Sequence, residues 1–175
     1  MRLWLRNIRL KAAMLAFALC ALSANSATAG TPITSSFTVT ATVLTTCLIV
    51  SLPLAFGNYD PTASSPTTGQ TTITATCTLS APYTIALNNG TGTGANYTTG
   101  ASGRQMTLIA GSSTIGYNLY QDSAYANVWG NASTALSSGT GTGLPQFYTV
   151  YGRIPAQQVA GAGAYLDTIT ATLTF

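Results

Sequence analysis

Histidine and glutamate are absent from this chain of 175 residues, and charged residues make up only 5% of it. The lack of histidine excludes imidazole catalysis, the usual source of a general base near neutral pH. The only acidic groups are Asp60, Asp122 and Asp167, and none of them lies in a recognisable catalytic motif. We therefore predict that the protein is not an enzyme and has neither catalytic residues nor a cofactor. The competing hypothesis, an enzyme that uses these aspartates, stays open at this point.

Basic residues are scarce and lie mostly at the start of the chain. Four of the six Lys and Arg residues fall within the first eleven positions, ahead of an apolar run at 12–22. Ala27 and Ala29 then supply the small residues that a signal peptidase requires. We predict a secretory signal peptide at 1–29, cleaved after Ala29, and export through the inner membrane. The remaining 146 residues carry two arginines and three aspartates, so they lack the basic patch of a nucleic-acid-binding protein.

Cysteine is rare as well, because only Cys47 and Cys77 remain after the predicted cleavage. A single cysteine pair in an exported chain most simply forms a disulfide in an oxidising compartment. A zinc site is the competing interpretation, but two thiols without histidine or glutamate cannot supply four ligands from one chain. We predict a disulfide and no metal site.

What the chain has in abundance is threonine, serine, glycine and alanine, arranged with a period of two. At 37–47 the apolar residues Phe37, Val39, Ala41 and Val43 alternate with threonines, which is typical of a half-buried strand. The segment 71–79 repeats this pattern. The two cysteines fall on the apolar faces of these segments, as a disulfide in the core requires.

Five further alternating segments predict strands at 83–87, 105–109, 115–120, 147–154 and 165–175. Segments rich in Gly, Thr, Ser, Asn and Pro, typical of loops, lie between strands at 58–69, 88–100 and 137–143. No helical period appears after the signal peptide. The pattern therefore predicts an all-β protein, a single antiparallel β-sandwich of ordinary domain size.

Two residues stand apart from the strand pattern. Arg153 lies among strands in a nearly uncharged domain, so we expect it to form an ion pair with an aspartate. Trp129 is the only tryptophan after the signal peptide, and it is either a core residue or part of a sugar-stacking site. The Gly-rich strings at 90–94 and 139–143 have no lysine and precede no predicted helix, so we predict no phosphate site there.

Seven short strings extend over essentially the whole chain after the signal peptide. They are FTVTATV at 37–43, LPLAFGNYDP at 52–61, TATC at 74–77, YNLY at 117–120, VWG at 128–130, VYGRIP at 150–155 and GAYLDTITATLTF at 163–175. Each string is short, but the combined set is specific. As a set they resemble the spore coat protein U domain family, which includes the pilin subunits of archaic chaperone-usher pili.

The resemblance implies an immunoglobulin-like β-sandwich at 47–175 that lacks its last strand, preceded by a donor-strand arm at 30–46. It implies transit through the periplasm with a chaperone, and assembly through an outer-membrane usher into a pilus at the cell surface. The partners would be copies of the chain or related pilins, and a host or abiotic surface. The implied function is a non-catalytic structural subunit that polymerises by donor-strand complementation and supports adhesion or biofilm formation.

The proposed arm is long enough for this role, since residues 30–46 reach about 55 Å at roughly 3.3 Å per residue. A donated strand would satisfy the backbone and cover the apolar face of an open groove. The donor residues would be Phe37, Val39, Ala41 and Val43. The terminal strand at the acceptor groove would present Ile169, Ala171, Leu173 and Phe175, and its lack of a following tail fits a strand supplied by another molecule. Two alternatives stay open: the arm pairs within its own domain, or the protein is a secreted coat or sugar-binding module that acts as a monomer.

Overall fold

The computed structural model describes residues 30–95, 103–133 and 135–175 of the chain. Within these ranges the regular secondary structure consists of nine β-strands, and no helix could cross a membrane. The predicted signal peptide at 1–29 lies outside the described residues. The strands are β1 (Cys47–Ser51), β2 (Thr67–Cys77), β3 (Pro82–Leu87), β4 (Arg104–Leu108), β5 (Thr114–Tyr120), β6 (Ser137–Thr140), β7 (Gln146–Ile154), β8 (Tyr165–Leu166) and β9 (Ala171–Thr174).

The strands pair in antiparallel fashion and form two sheets. The larger sheet has six strands in the order β1-β2-β7-β5-β4-β8, and the smaller has three in the order β6-β3-β9. Buried side chains of β2, β5 and β7 belong to the same core cluster as those of β3, so the core lies between the sheets. The fold is an all-β, immunoglobulin-like antiparallel sandwich, which confirms the predicted fold class.

The core follows from the period of two along each strand. On β2, Ile73, Ala75 and Cys77 are buried, whereas the threonines between them are only partly covered on the opposite face. The same alternation buries Ile85 and Leu87 on β3. These side chains are the ones that the sequence pattern assigns to the inner face.

The first predicted strand is the main difference from the sequence prediction. β1 begins at Cys47, where the predicted strand at 37–47 ends, and residues 30–46 are not assigned to a strand. Residues 30–41 fall in a unit separate from the compact unit 42–175. Their apolar side chains are exposed instead of half-buried, 87% for Phe37 and 81% for Val39. Alternation gives a segment the two faces of a strand, but a stable strand also needs a paired neighbour.

Two other strand predictions need correction. β6 lies inside the segment 137–143 that was predicted as a loop, because its Ser- and Gly-rich sequence has no alternation although its backbone pairs with β3. The terminal segment at 165–175 is divided between the sheets, since β8 pairs with β4 and β9 pairs with β3. Phe175 follows β9 and is 58% exposed.

Candidate functional site

The edges of the two sheets approach each other at β1 and β9. β1 is the last strand of the larger sheet, and β9 is the last strand of the smaller one. Their Cα atoms come within 8 Å of each other, yet no ladder joins the two strands in the part of the chain that the structure describes. Each strand therefore has one edge whose backbone N–H and C=O groups lack a ladder partner. A seam of this kind can accept an additional strand.

An apolar groove with a volume of about 540 Å³ opens beside this seam. One wall is the segment 51–56, which continues β1, and the other is the segment 165–171, which leads into β9. Core side chains of both sheets form its floor: Ile73, Leu87, Met106, Tyr117, Leu119 and Val150. The floor of the groove is therefore apolar, although most of the side chains that form it are themselves buried.

A second depression of about 950 Å³ extends this groove. It shares Leu54, Phe56, Met106 and Tyr165 with the first, and it continues between residues 57–61 and residues 160–164. The two depressions together form an elongated cleft, which suits an extended segment better than a compact ligand.

The β1 wall of the groove rests on two glycines. Gly69 on β2 lies directly opposite Gly152 on β7, and Leu54 and Phe56 pack over the pair. A Cβ atom at position 152 would lie 2.7 Å from the Phe56 ring, so the close approach requires glycine. Phe56 also makes an edge-to-face contact with Tyr117, with 5.8 Å between the ring centroids. We call this place, where Phe56 packs over Gly69 and Gly152, the glycine slot. Sequence reasoning missed it because a glycine in a strand does not indicate which side chain packs on it.

The β9 wall contains part of the predicted acceptor set. Ile169, Ala171 and Leu173 are half-buried against the core, and Ile169 and Ala171 line the groove. Phe175 lies elsewhere, in a shallow depression with Pro82 beside β3 and β6. The alternation in the sequence thus continues to Phe175, whereas β9 ends at Thr174 and Leu173 is its last residue that packs on the core.

A polar corner interrupts the β9 wall at Asp167. Its Oδ1 accepts hydrogen bonds from the backbone N–H groups of Thr91 at 2.6 Å and Gly92 at 3.1 Å. Its Oδ2 accepts a hydrogen bond of 2.6 Å from the hydroxyl of Tyr117. Burial, followed by this hydrogen bond, raises the pKa of Tyr117. Sequence reasoning missed this role of Asp167, because the Gly-rich loop that it fastens is distant along the chain.

Arg104 is a second polar residue that sequence reasoning missed. It is 0% exposed, and its guanidinium donates to the backbone carbonyls of Leu87, Asn88 and Trp129. It also donates to Oδ1 of Asn118 at 2.8 Å. Charge-assisted hydrogen bonds of this kind stabilise a guanidinium in the interior. Arg104 thus ties β4 to the end of β3 and to the segment that contains Trp129.

Arg153 does not form the ion pair expected from the sequence. Among the described residues no aspartate pairs with it, and its guanidinium carbon lies 5.4 Å from the centre of the Tyr125 ring. That ring contacts Tyr120 edge-to-face. The guanidinium of Arg153 is therefore stabilised by an aromatic face, which the list of charged residues in the sequence does not reveal.

The sugar-stacking interpretation of Trp129 is wrong. The side chain is 1% exposed, and its indole Nε1 donates a hydrogen bond of 2.9 Å to the carbonyl of Ile85. Stacking on a sugar requires an exposed ring face, and this ring is a core residue with its polar atom satisfied. The main sequence feature behind a sugar-binding monomer is thereby removed.

The other two aspartates organise turns. Oδ1 of Asp60 accepts from the backbone N–H and the hydroxyl of Thr62, and these bonds lower the pKa of Asp60. Asp122 accepts from the backbone N–H groups of Ala124, Ala126 and Asn127, and its pKa is lowered chiefly by the bond from Asn127. No cluster of three metal-ligating Cys, Asp, Glu or His residues occurs within 30–95, 103–133 and 135–175. The described aspartates thus have structural partners.

Cys47 and Cys77 form the predicted disulfide. They are directly opposite each other on β1 and β2, with 4.1 Å between their Cα atoms. The bond therefore joins the edge strand to its neighbour at the end where the arm enters the domain.

Of the predicted donor residues, Phe37, Val39 and Val43 are 87%, 81% and 82% exposed, and Ala41 is also exposed.

An immunoglobulin-like sandwich with an open apolar groove between its sheet edges defines the structural class. The Spore Coat Protein U domain model matches residues 33–172, and the chain belongs to this family. The family resemblance predicted from the sequence is thereby confirmed. The chain is 34% identical over 127 residues to Protein U of Myxococcus xanthus, a match that covers 70% of this chain and 71% of that protein.

A solved structure has a similar fold. It is the CsuC-CsuE chaperone-tip adhesion subunit pre-assembly complex from archaic chaperone-usher Csu pili of Acinetobacter baumannii. One chain of it matches with a TM-score of 0.55 and 24% identity. The match covers 77% of this chain and 41% of that one, so the present chain spans less than half of its length. The likeness is one of fold.

Proposed function

We propose that the chain is a non-catalytic structural subunit of an archaic chaperone-usher pilus, and that its copies join by donor-strand complementation. Residues 30–46 of one copy enter the groove of the next, between β1 and β9. The observation that carries this proposal is the pairing of two complementary features: an apolar groove without a covering strand, and an alternating arm with exposed apolar side chains.

Burial of the apolar anchors would drive such a pairing. Complete burial of a Phe or Val side chain contributes roughly 1.5 to 3 kcal/mol. Phe37, Val39 and Val43 together can therefore supply several kcal/mol, with further stabilisation from backbone bonds to two edges. The ordering of the arm opposes this gain, because each fixed residue costs about 1 to 2 kcal/mol of conformational entropy. The apolar anchors alone are therefore not enough, and the backbone bonds to both edges are needed as well.

Insertion of a strand has a geometric consequence. Neighbouring strands lie about 4.8 Å apart, so two strands on either side of an inserted one are separated by roughly 9.6 Å. Because β1 and β9 now come within 8 Å of each other, the seam must widen there to admit a strand. The two sheets then become continuous through the donated strand.

The proposed route to the surface begins with the signal peptide. After cleavage at Ala29 the subunit enters the periplasm, where a chaperone covers the groove, and an outer-membrane usher then assembles the fibre. A chaperone partner is supported by the solved complex of similar fold. The fibre would support adhesion to a host or abiotic surface, or biofilm formation. Amino-terminal sequencing of the extracted protein should begin at Gly30.

Peptide complementation tests the proposal. A chain that lacks residues 30–43 is refolded with a synthetic peptide of residues 31–45, and we expect one peptide to bind per chain and to raise the melting temperature. A matched peptide carrying Val39→Asp and Val43→Asp should not bind, because it places charges on an apolar floor. If the unmodified peptide neither binds nor increases the recovery of folded monomer, the donor-strand proposal is wrong.

A further inference from the structure

The root of the arm, residues 44–46, is hydrogen-bonded to Thr78, the residue that follows β2. Oγ of Thr78 accepts a hydrogen bond from the backbone N–H of Thr46 at 3.0 Å. The same hydroxyl lies 3.2 Å from the carbonyl oxygen of Thr46 and 3.3 Å from that of Leu44, so it can donate to either. The backbone N–H of Thr78 donates to the carbonyl of Thr46 at 3.0 Å. Thr78 therefore contacts both backbone groups of Thr46 and reaches two residues further along the arm.

These bonds fix the direction in which the chain leaves the domain. Cys47 is opposite Cys77 in the β1–β2 ladder, and Thr46 bonds to Thr78, the next residue on each side. The ladder is thus prolonged by one pair beyond the disulfide. The root of the arm continues the line of β1 and does not turn back along it.

This direction matters because of where the groove lies. The groove wall begins at Ser51, the last residue of β1, and runs on to Phe56. The arm joins β1 at the opposite end, at Cys47. To place residues 37–43 in the groove of its own chain, beside residues 51–56, the arm would have to reverse direction close to residues 44–46. Those are the residues that Thr78 holds in line with β1.

We propose that Thr78 is a positioning residue that directs the arm toward the groove of a second copy by opposing its return to the groove of its own chain. This inference rests on the proposed donor-strand function. The disulfide beside it holds β1 and β2 together, so that the hydroxyl of Thr78 remains within reach of the root.

Distance measurements between two spin labels test this role. The full mature chain receives Ser36→Cys and Thr72→Cys for labelling, with the native disulfide intact, and is studied at a dilution at which light scattering shows a monomer. An arm that continues the line of β1 places the labels up to about 50 Å apart, at roughly 3.3 Å per residue. An arm folded back along β1 places them less than about 25 Å apart, since Leu52 bonds to the backbone of Thr72.

Thr78→Val removes the hydroxyl while it keeps the branched shape. Loss of roughly one net hydrogen bond shifts an equilibrium about fivefold, so we expect the short-distance population to rise about fivefold. Thr78→Ser retains the hydroxyl and should restore the wild-type distribution. Thr76→Val is the matched control, because in the described part of the chain its side chain forms no hydrogen bond with the arm, and it should leave the distances unchanged.

The yield of polymer, measured on the same variants without labels, separates the role of Thr78 from the proposed donor-strand function. We expect Thr78→Val to give fewer polymers and more monomers, with an unchanged midpoint of urea unfolding in chains that lack residues 30–46 and hence the partners of this hydroxyl. Equal distance distributions for Thr78→Val and wild type would overturn the role of Thr78, even if the wild type polymerises. If the wild type forms no polymer, the proposed function fails, while the distances still decide whether Thr78 directs the arm.

Discussion

The hydroxyl of Tyr117 donates a hydrogen bond of 2.6 Å to the carboxylate of Asp167, and this bond ties the floor of the groove to the wall that leads into β9. Asp167 in turn fastens the Gly-rich loop at Thr91 and Gly92. In the proposed assembly this tie would hold the wall in place while a donated strand enters the groove. The pair is therefore part of the proposed acceptor site.

Alkaline pH should destabilise the fold through two buried tyrosines, Tyr117 and Tyr83. Burial first, and the bond to Asp167 second, raise the pKa of Tyr117, while burial raises the pKa of Tyr83. Both folded values exceed the unfolded value of about 10. The stabilisation is complete below that pH and is lost as the pH rises above it. Urea unfolding at pH 7 and pH 11 should show a fall in the free energy of unfolding that is smaller for Tyr117→Phe with Tyr83→Phe. A fall of equal size in this double variant would contradict the assignment.

Loss of the disulfide should weaken the edge of the larger sheet. The bond joins residues 30 positions apart in sequence, and closure of a loop of this size contributes about 3 to 4 kcal/mol in the chain-entropy model. We expect Cys47→Ser with Cys77→Ser to lower the free energy of unfolding by about this amount, measured by urea titration at neutral pH. The intact mass of the wild type should be two hydrogens below that of the reduced chain. Two free thiols in the exported protein would refute the claim.

The glycine slot under Phe56 offers a test of the groove wall. In Gly152→Ala the new Cβ would lie 2.7 Å from the Phe56 ring, so either the ring or the strand must move, at a cost of about 1 to 3 kcal/mol. Gly161→Ala is the control, because its Cβ would meet its neighbours at 3.7 Å, an ordinary contact distance. We expect thermal unfolding to show a clear loss for the first variant and almost none for the second. Adding Phe56→Leu to Gly152→Ala should recover part of the loss.

The fluorescence of Trp129 distinguishes its role as a core residue from a role in stacking on a sugar. Trp129 is the only tryptophan after residue 29 and is 1% exposed. We expect a blue-shifted emission that acrylamide quenches weakly and that a panel of mono- and oligosaccharides leaves unchanged. Emission typical of exposed indole, or a saturable change on addition of a sugar, would favour the monomeric sugar-binding alternative.

The sequence was a good guide wherever alternation coincided with burial. β2, β3, β5 and β7 lie within a few residues of their predicted positions, and the Cys47–Cys77 bond is as predicted. The same signal failed at 37–47, because alternation defines two faces of a segment but not whether a neighbouring strand covers one of them. β6 was missed for the opposite reason, since a strand of Ser, Gly and Thr pairs through its backbone alone.

The groove itself could be predicted only in outline. Its β9 wall follows from the alternation around Ile169 and Ala171, whereas the β1 wall depends on the packing of Phe56 over Gly152. The polar corner at Asp167 and the buried Arg104 depend on partners that are distant in sequence. The sequence drew attention to Arg153, but Arg104 is the arginine with the dense hydrogen-bond network.

Electron microscopy of protein extracted from the cell surface tests the central claim most directly. The wild-type chain should form fibres, and the chain that lacks residues 30–43 should yield none, although it reaches the periplasm with its disulfide formed. The matched variant Thr40→Ser, which alters the polar face of the arm, should form fibres as the wild type does. A wild type found only as monomers, or fibres assembled by the arm-deleted chain, would contradict assembly by strand donation.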